Sequence, residues 1–159
     1  PAIPHAIPSD IEIRKNQLSK PLEWLAQPWV VKNSLELKNA QRVVITDNTI
    51  ISNWAAGQAG FAVVFTPRNQ DGRAPWTKLA DITFANNRLL NVAQGISILG
   101  TDDLQPSQRT ERVLIRDNFL ELSGLRADGT AGGATNSQAR MFQLLAAPTS
   151  VVIDHNTGL

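Results

Sequence analysis

The sequence predicts an all-β solenoid, a stack of short parallel strands wound from one repeated unit, and three observations predict it. One phrase recurs five times: two apolar residues flanking a third, two mostly polar residues, then an asparagine. It occupies residues 11–16, 43–48, 82–87, 113–118 and 151–156. Within each phrase the strong apolar positions alternate, as Ile11/Ile13 and Ile82/Phe84 do, which is the period of a half-buried strand. Between the phrases no convincing amphipathic helix is found, so a doubly wound sheet with crossover helices is not expected. An internal repeat of this kind decides architecture ahead of local propensity.

Taken in order, residues 1–8 carry Pro1, Pro4 and Pro8 and read as an extended lead-in, with residues 9–159 as the solenoid. The anchoring asparagines Asn16, Asn48, Asn87, Asn118 and Asn156 are 32, 39, 31 and 38 residues apart, so a fixed turn of structure carries loops of different length. Asparagine is expected to end each strand because it tolerates the left-handed backbone of a sharp corner. Its amide can also bond the like residue of the next unit, making a ladder. Leu18, Ile50, Leu89 and Leu120 follow two residues later, and Gly158 breaks that rule. A second strand follows in most units, at 35–37, 61–63, 95–98 and 142–144. Each unit therefore reads as strand, Asn corner, strand, loop. The core is expected from Ile11, Ile13, Val43, Ile45, Ile82, Phe84, Ile96, Ile98, Val113, Ile115, Val151 and Ile153.

Stacking allows positions to be read across units. Six residues before the asparagine stand Asp10, Arg42, Asp81, Arg112 and Ser150, a charge ladder whose cross-strand pairs contribute roughly 0.2–1 kcal/mol each. Four residues before it stand Glu12, Val44, Thr83, Leu114 and Val152, an outward stripe too apolar for open solvent. A loop, or else a partner, is expected to lie over it.

Composition narrows the classes. With 42% hydrophobic content over 159 residues, the chain can bury a real core as one domain. A net charge of +1 with no basic face gives no signal for nucleic acid. No apolar run approaches the ~20 residues of a membrane span. Cysteine is absent, which excludes disulfides and thiolate metal sites. The last phrase stops at residues 156–159 and no initiating Met is present. The chain is accordingly read as part of a longer protein, or as a protomer whose ends are covered by another chain, including end-to-end association of its own copies.

The repeated phrase with its asparagine ladder resembles the right-handed parallel β-helix proteins, the broad family that holds pectate lyases and polygalacturonases. The resemblance covers residues 9–159. It implies a right-handed helix of about five coils, on the order of 25 Å long at one strand spacing per coil. It also implies an extracellular or periplasmic location and a polysaccharide partner. The fold hosts lyases, hydrolases, epimerases and binding modules, so it does not select an activity.

Candidate functional residues lie in the spacers, where solenoids carry their loops. The spacers span residues 19–33, 66–76, 100–109 and 123–139; the last is Gly-, Ala- and Thr-rich and reads as mobile. The four tryptophans, Trp24, Trp29, Trp54 and Trp76, all fall outside the ladder positions, and flat indole faces stack on sugar rings. Pinning a loop to the barrel is their other reading. Trp76, beside Arg68, Asp71 and Arg73, is the first choice for a ligand contact.

The resemblance adds an enzymatic alternative, a polysaccharide lyase or glycoside hydrolase with its groove at Asp102, Asp103, Arg109 and Arg116. Glycosidic cleavage by paired carboxylates needs one protonated acid and one ionised partner. A capped turn is the other reading of Thr101-Asp102-Asp103. Were the chemistry elimination, the family would supply a calcium ion and an Arg or Lys base. Arg116 and Asp117 should then lie beneath Asp154 and His155, the densest ionisable cluster, which also reads as surface ion pairs. A structural, filament-forming solenoid is the third class.

Overall fold

A computed structural model describes residues 3–123 and 139–159. The first repeat supplies β1 (Ser9–Arg14), β2 (Gln17–Ser19) and β3 (Leu35–Leu37). The second supplies β4 (Ala40–Thr46), β5 (Thr49–Asn53) and β6 (Phe61–Phe65). The third supplies β7 (Leu79–Ala85), β8 (Arg88–Val92) and β9 (Gln94–Leu99). β10 (Glu111–Arg116), β11 (Phe119–Leu122) and β12 (Phe142–Leu145) follow, then β13 (Thr149–Asp154) and β14 (Thr157–Gly158). Three parallel sheets result, in the orders β1-β4-β7-β10-β13, β2-β5-β8-β11-β14 and β3-β6-β9-β12. This all-β stack is the arrangement of a β-solenoid. The spacer expected at 123–139 falls on residues 124–138, outside the described residues.

The repeat has three strands rather than two. The apolar residue two places after each asparagine sits in a short strand of its own, and Ile50, Leu89 and Leu120 are wholly buried there. The sequence reading folded these residues into the corner because a three-residue strand such as Gln17–Ser19 has no visible period. The strands expected at 35–37, 61–63, 95–98 and 142–144 form the third sheet instead of the second.

The corner also differs in one residue. The left-handed backbone falls on the position before each ladder asparagine: Lys15, Asp47, Asn86, Asp117 and His155 have φ between 48° and 58°. A second set, Asp10, Arg42, Asp81, Arg112 and Ser150, has φ between 52° and 60°. The asparagines are thereby freed to turn their amides inward. Asn16, Asn48, Asn87 and Asn118 each donate from Nδ2 to the Oδ1 of the next asparagine at 3.0, 2.9, 3.1 and 2.8 Å. Their backbone N–H groups donate to the same oxygens.

The core runs along the stack axis. Val43, Ile45, Ile82, Phe84, Ile96, Ile98, Val113 and Ile115 are buried as expected, and Phe65 and Leu79 join them. Ile11, Ile13 and Val151, in the terminal repeats, are only partly buried, and Ile153 is exposed. The charge ladder forms: Arg42 pairs with Asp10 at 2.7 Å and Arg112 with Asp81 at 2.6 Å. No loop roofs the apolar stripe among the described residues. Val44, Thr83, Leu114 and Val152 instead floor two adjoining concavities of about 360 and 420 Å³ that share Asp81.

Gly95 shows how tightly the third sheet is wound. A Cβ there would overlap the Met141 carbonyl oxygen and come within 2.8 Å of Leu120 Cδ2. The Ile96 N–H donates to that same carbonyl at 2.9 Å. Gly95→Ala should therefore cost about 1–3 kcal/mol and push β12 from β9. Urea unfolding and amide exchange at Ile96 measure this; unchanged protection there would refute it.

Candidate functional site

The spacer of the first repeat builds the most ligand-like surface. Pro21 leads into a short 3₁₀ turn, Leu22–Ala26, and the chain returns along 27–33 to β3. The Gly57 N–H donates to the Val31 carbonyl at 3.3 Å, holding the returning limb to the second repeat. Lys20 cinches the base of the loop: its Nζ donates to the Lys32 carbonyl, to Asn53 Oδ1, and to Ser34 Oγ at 3.3 Å. Burial lowers the Lys20 amine to about 8.

This loop presents Trp24 and Trp29, 36% and 56% exposed, with ring centroids 5.5 Å apart and planes nearly perpendicular. At its root lies a polar concavity of about 360 Å³, lined by Gln17, Ser19, Lys20, Asn33 and Ser34 with Leu18 beneath. Asn33 Nδ2 is buried there without a hydrogen-bond partner. Exposed rings on the loop and exposed polar groups such as Gln17 and Ser19 at its root suit a ligand with one apolar face and several hydroxyls. The sequence reading included both tryptophans but missed Lys20, Asn33 and Ser34. Their apposition depends on the loop closing back on β2, which no local pattern signals.

The other tryptophans are spoken for. Trp54 is 2% exposed, so its ring belongs to the interior. Trp76 packs on His5 of the lead-in, with centroids 5.1 Å apart and planes tilted by 38°. Its expected companions diverge. Asp71 takes a left-handed φ of 57° in the turn Gln70–Gly72, and Arg73 is exposed. Arg68 turns to the next repeat and binds Asp102 at 2.7 Å and Asp103 at 2.5 Å.

Asp102 is the centre of that lock. Its side chain is wholly buried and accepts from Arg68 Nη1, from the Asn69 N–H at 2.7 Å and from the Leu104 N–H at 2.9 Å. Burial alone would raise its carboxyl. The Leu104 and Asn69 N–H groups and the Arg68 guanidinium more than reverse this and hold it below the usual carboxylate range. An acid that must donate a proton near neutral pH needs the opposite shift.

Arg109 donates to the Ala146 carbonyl at 3.2 Å and to the Ala147 carbonyl. Arg116 lies on the first sheet, in register with Asp154, and pairs with Asp117 at 3.4 Å. Neither arginine touches Asp102 or Asp103 among the described contacts. His155 pairs with Asp154 at 2.8 Å, and that hydrogen bond raises the imidazole pKa. Among the described residues, no group of three or more His, Cys, Asp or Glu is arranged to hold a metal ion. Set against known proteins, the chain matches no family model, no curated protein and no solved structure.

Proposed function

We propose that this chain is a carbohydrate-interacting module, a right-handed parallel β-helix of about five coils that binds an extracellular polysaccharide on its first-repeat loop. The observation that carries this reading is the exposed Trp24–Trp29 pair on the loop whose two ends, at Lys20 and Asn33, line the polar concavity. Two packed indoles, 36% and 56% exposed on one tethered loop, offer apolar surface to a ligand, and such patches mark binding sites. A pyranose offers what suits the loop: flat C–H faces for the indoles and hydroxyls for the exposed Gln17 and Ser19 at its root. The buried, ionised state of Asp102 supports binding over glycosidic cleavage at that position.

The test is a titration with a panel of plant and bacterial polysaccharides, recording tryptophan fluorescence and reducing ends in the same samples. The expected result is a saturable fluorescence change without new ends. Trp29→Ala should weaken the interaction about tenfold or more, as loss of a tryptophan anchor does, while Arg73→Ala changes it little. New reducing ends would replace the reading with an enzymatic one. Silence in both channels overturns it.

A further inference from the structure

The stripe Val44, Thr83, Leu114 and Val152 runs down the outer face of the first sheet, whereas the Trp24–Trp29 loop joins the second sheet to the third. A role for the stripe therefore goes beyond the glycan reading. Val44, Thr83 and Leu114 are half-buried, each with a strand on either side, and no loop covers them among the described residues. The long Leu114 stands beside the short Thr83, so the floor carries a knob next to a hollow.

A ladder of alternating charge borders this floor: Asp10, Arg42, Asp81 and Arg112. Its internal pairs leave bonding capacity unused. Arg112 donates from Nε and Nη2 to Asp81 at 2.6 and 3.0 Å, and from Nη1 to Glu111 at 2.7 Å. A guanidinium has five N–H donors and a carboxylate about four acceptor positions, so about two remain on each group. Both side chains reach solvent, at 49% and 40% exposure.

Charge and size select the same mate. A second copy can be turned over about a two-fold axis that lies along the strands, between the third and fourth repeats. Strands of the two faces then stay aligned, as in packed sheets about 10 Å apart. Asp81 of each copy faces Arg112 of the other, Leu114 enters the hollow over Thr83, and Val44 meets Val152. An axis through the third repeat would instead set Asp81 on Asp81, Arg42 on Arg112 and Thr83 on Thr83, like charges around a void. An axis between the second and third repeats would keep the charges matched but press Glu12 against Leu114.

We infer that two copies of this chain dock face to face through the first sheet, in an isologous pair whose two-fold axis passes between the third and fourth repeats. Such a contact closes on itself, so assembly stops at two. Roughly four repeats at ~4.8 Å and strands of roughly six residues give a patch on the order of 400 Å² per copy, half that of a standard interface. The pair is therefore weak, with Kd between about 10 µM and 1 mM.

Sedimentation equilibrium of the 159-residue chain, from micromolar to about 2 mM, tests it. Mass should rise from 17.3 kDa toward twice that value and stop. Asp81→Arg gives each copy two cations at the contact, and Arg112→Asp gives each two carboxylates. Each variant alone should self-associate at least tenfold more weakly than wild type, while an equimolar mixture should form a 1:1 pair, because each ladder then matches the other. Circular dichroism confirms that both keep the fold, which loses only an exposed internal pair in either case. Leu114→Asp should abolish dimerisation of the otherwise unaltered chain. A mass fixed at 17.3 kDa throughout, or one that climbs past two copies, overturns the inference. Charge variants that fail to pair on mixing, or dimerisation untouched by Leu114→Asp, overturn it as well.

Discussion

Asn87→Ala should destabilise the protein by about 3–5 kcal/mol, a large share of the 5–15 kcal/mol that holds a domain folded. Asn87 is 1% exposed and stands mid-ladder. Its Oδ1 accepts from the N–H and Nδ2 of Asn48, at 3.0 and 2.9 Å. Its Nδ2 donates to the Ile45 and Ala85 carbonyls and to Asn118 Oδ1, at 2.9, 3.0 and 3.1 Å. Truncation strands the buried Asn48 N–H and takes one hydrogen bond each from Asn48 Nδ2, Asn118 Oδ1 and the Ile45 and Ala85 carbonyls, at about 1–3 kcal/mol for a group left unpaired where water cannot reach. Asn87→Asp keeps the acceptor but turns an oxygen toward three other oxygens, so it should be no better tolerated. Asn16→Ala, exposed at the end of the same ladder, should cost about 1 kcal/mol. Urea unfolding of the three variants decides the matter. Equal losses at Asn87 and Asn16 would mean that the ladder is not a buried polar spine.

The second large effect is expected at Asp102. Asp102→Asn places an amide against the Asn69 and Leu104 N–H groups and leaves the Arg68 guanidinium with the exposed Asp103 as its remaining ion-pair partner. A loss of about 2–3 kcal/mol should follow, since a buried acceptor and part of a half-buried ion pair go together. The pH dependence has a fixed sign. The folded carboxyl sits below the ordinary value near 3.9, so its contribution is complete above that pH and is lost as pH falls through the folded pKa. The gap between wild type and Asp102→Asn should stay constant from neutral pH down to about 4 and close below it. A gap that widens in acid would show a raised carboxyl, and with it the protonated acid a hydrolase needs. The fluorescence response through Trp24 and Trp29 should survive the substitution, because the lock lies on the second and third repeats.

The Asp102 lock was hidden in the sequence for a reason that applies to the site as a whole. Phe65 and Ile98 are paired in the third sheet, and continuing their register brings Arg68 to Thr101, beside Asp102. Reading repeats by the asparagine phrase aligns only the first strands, because the spacers after it differ in length. Lys20, Asn33 and Ser34 meet across a loop, and the same variation conceals them. Trp24 and Trp29 were visible as residues, but their exposure was not. Nothing in the local pattern separates them from Trp54, which the fold buries.

What the sequence determined by itself is the periodic part of the molecule. Alternating apolar residues and a recurring asparagine dictate parallel strands in register, an aliphatic interior and a continuous amide ladder, because each unit satisfies its backbone and side chains only against an identical neighbour. What only the tertiary structure decided is aperiodic. It moved the left-handed corner to the residue before each asparagine, split off a third strand, paired Arg68 with Asp102, and set which indoles face water. Those outcomes depend on how unequal loops close over the stack, a contest among distant contacts that a repeating code of near neighbours does not contain.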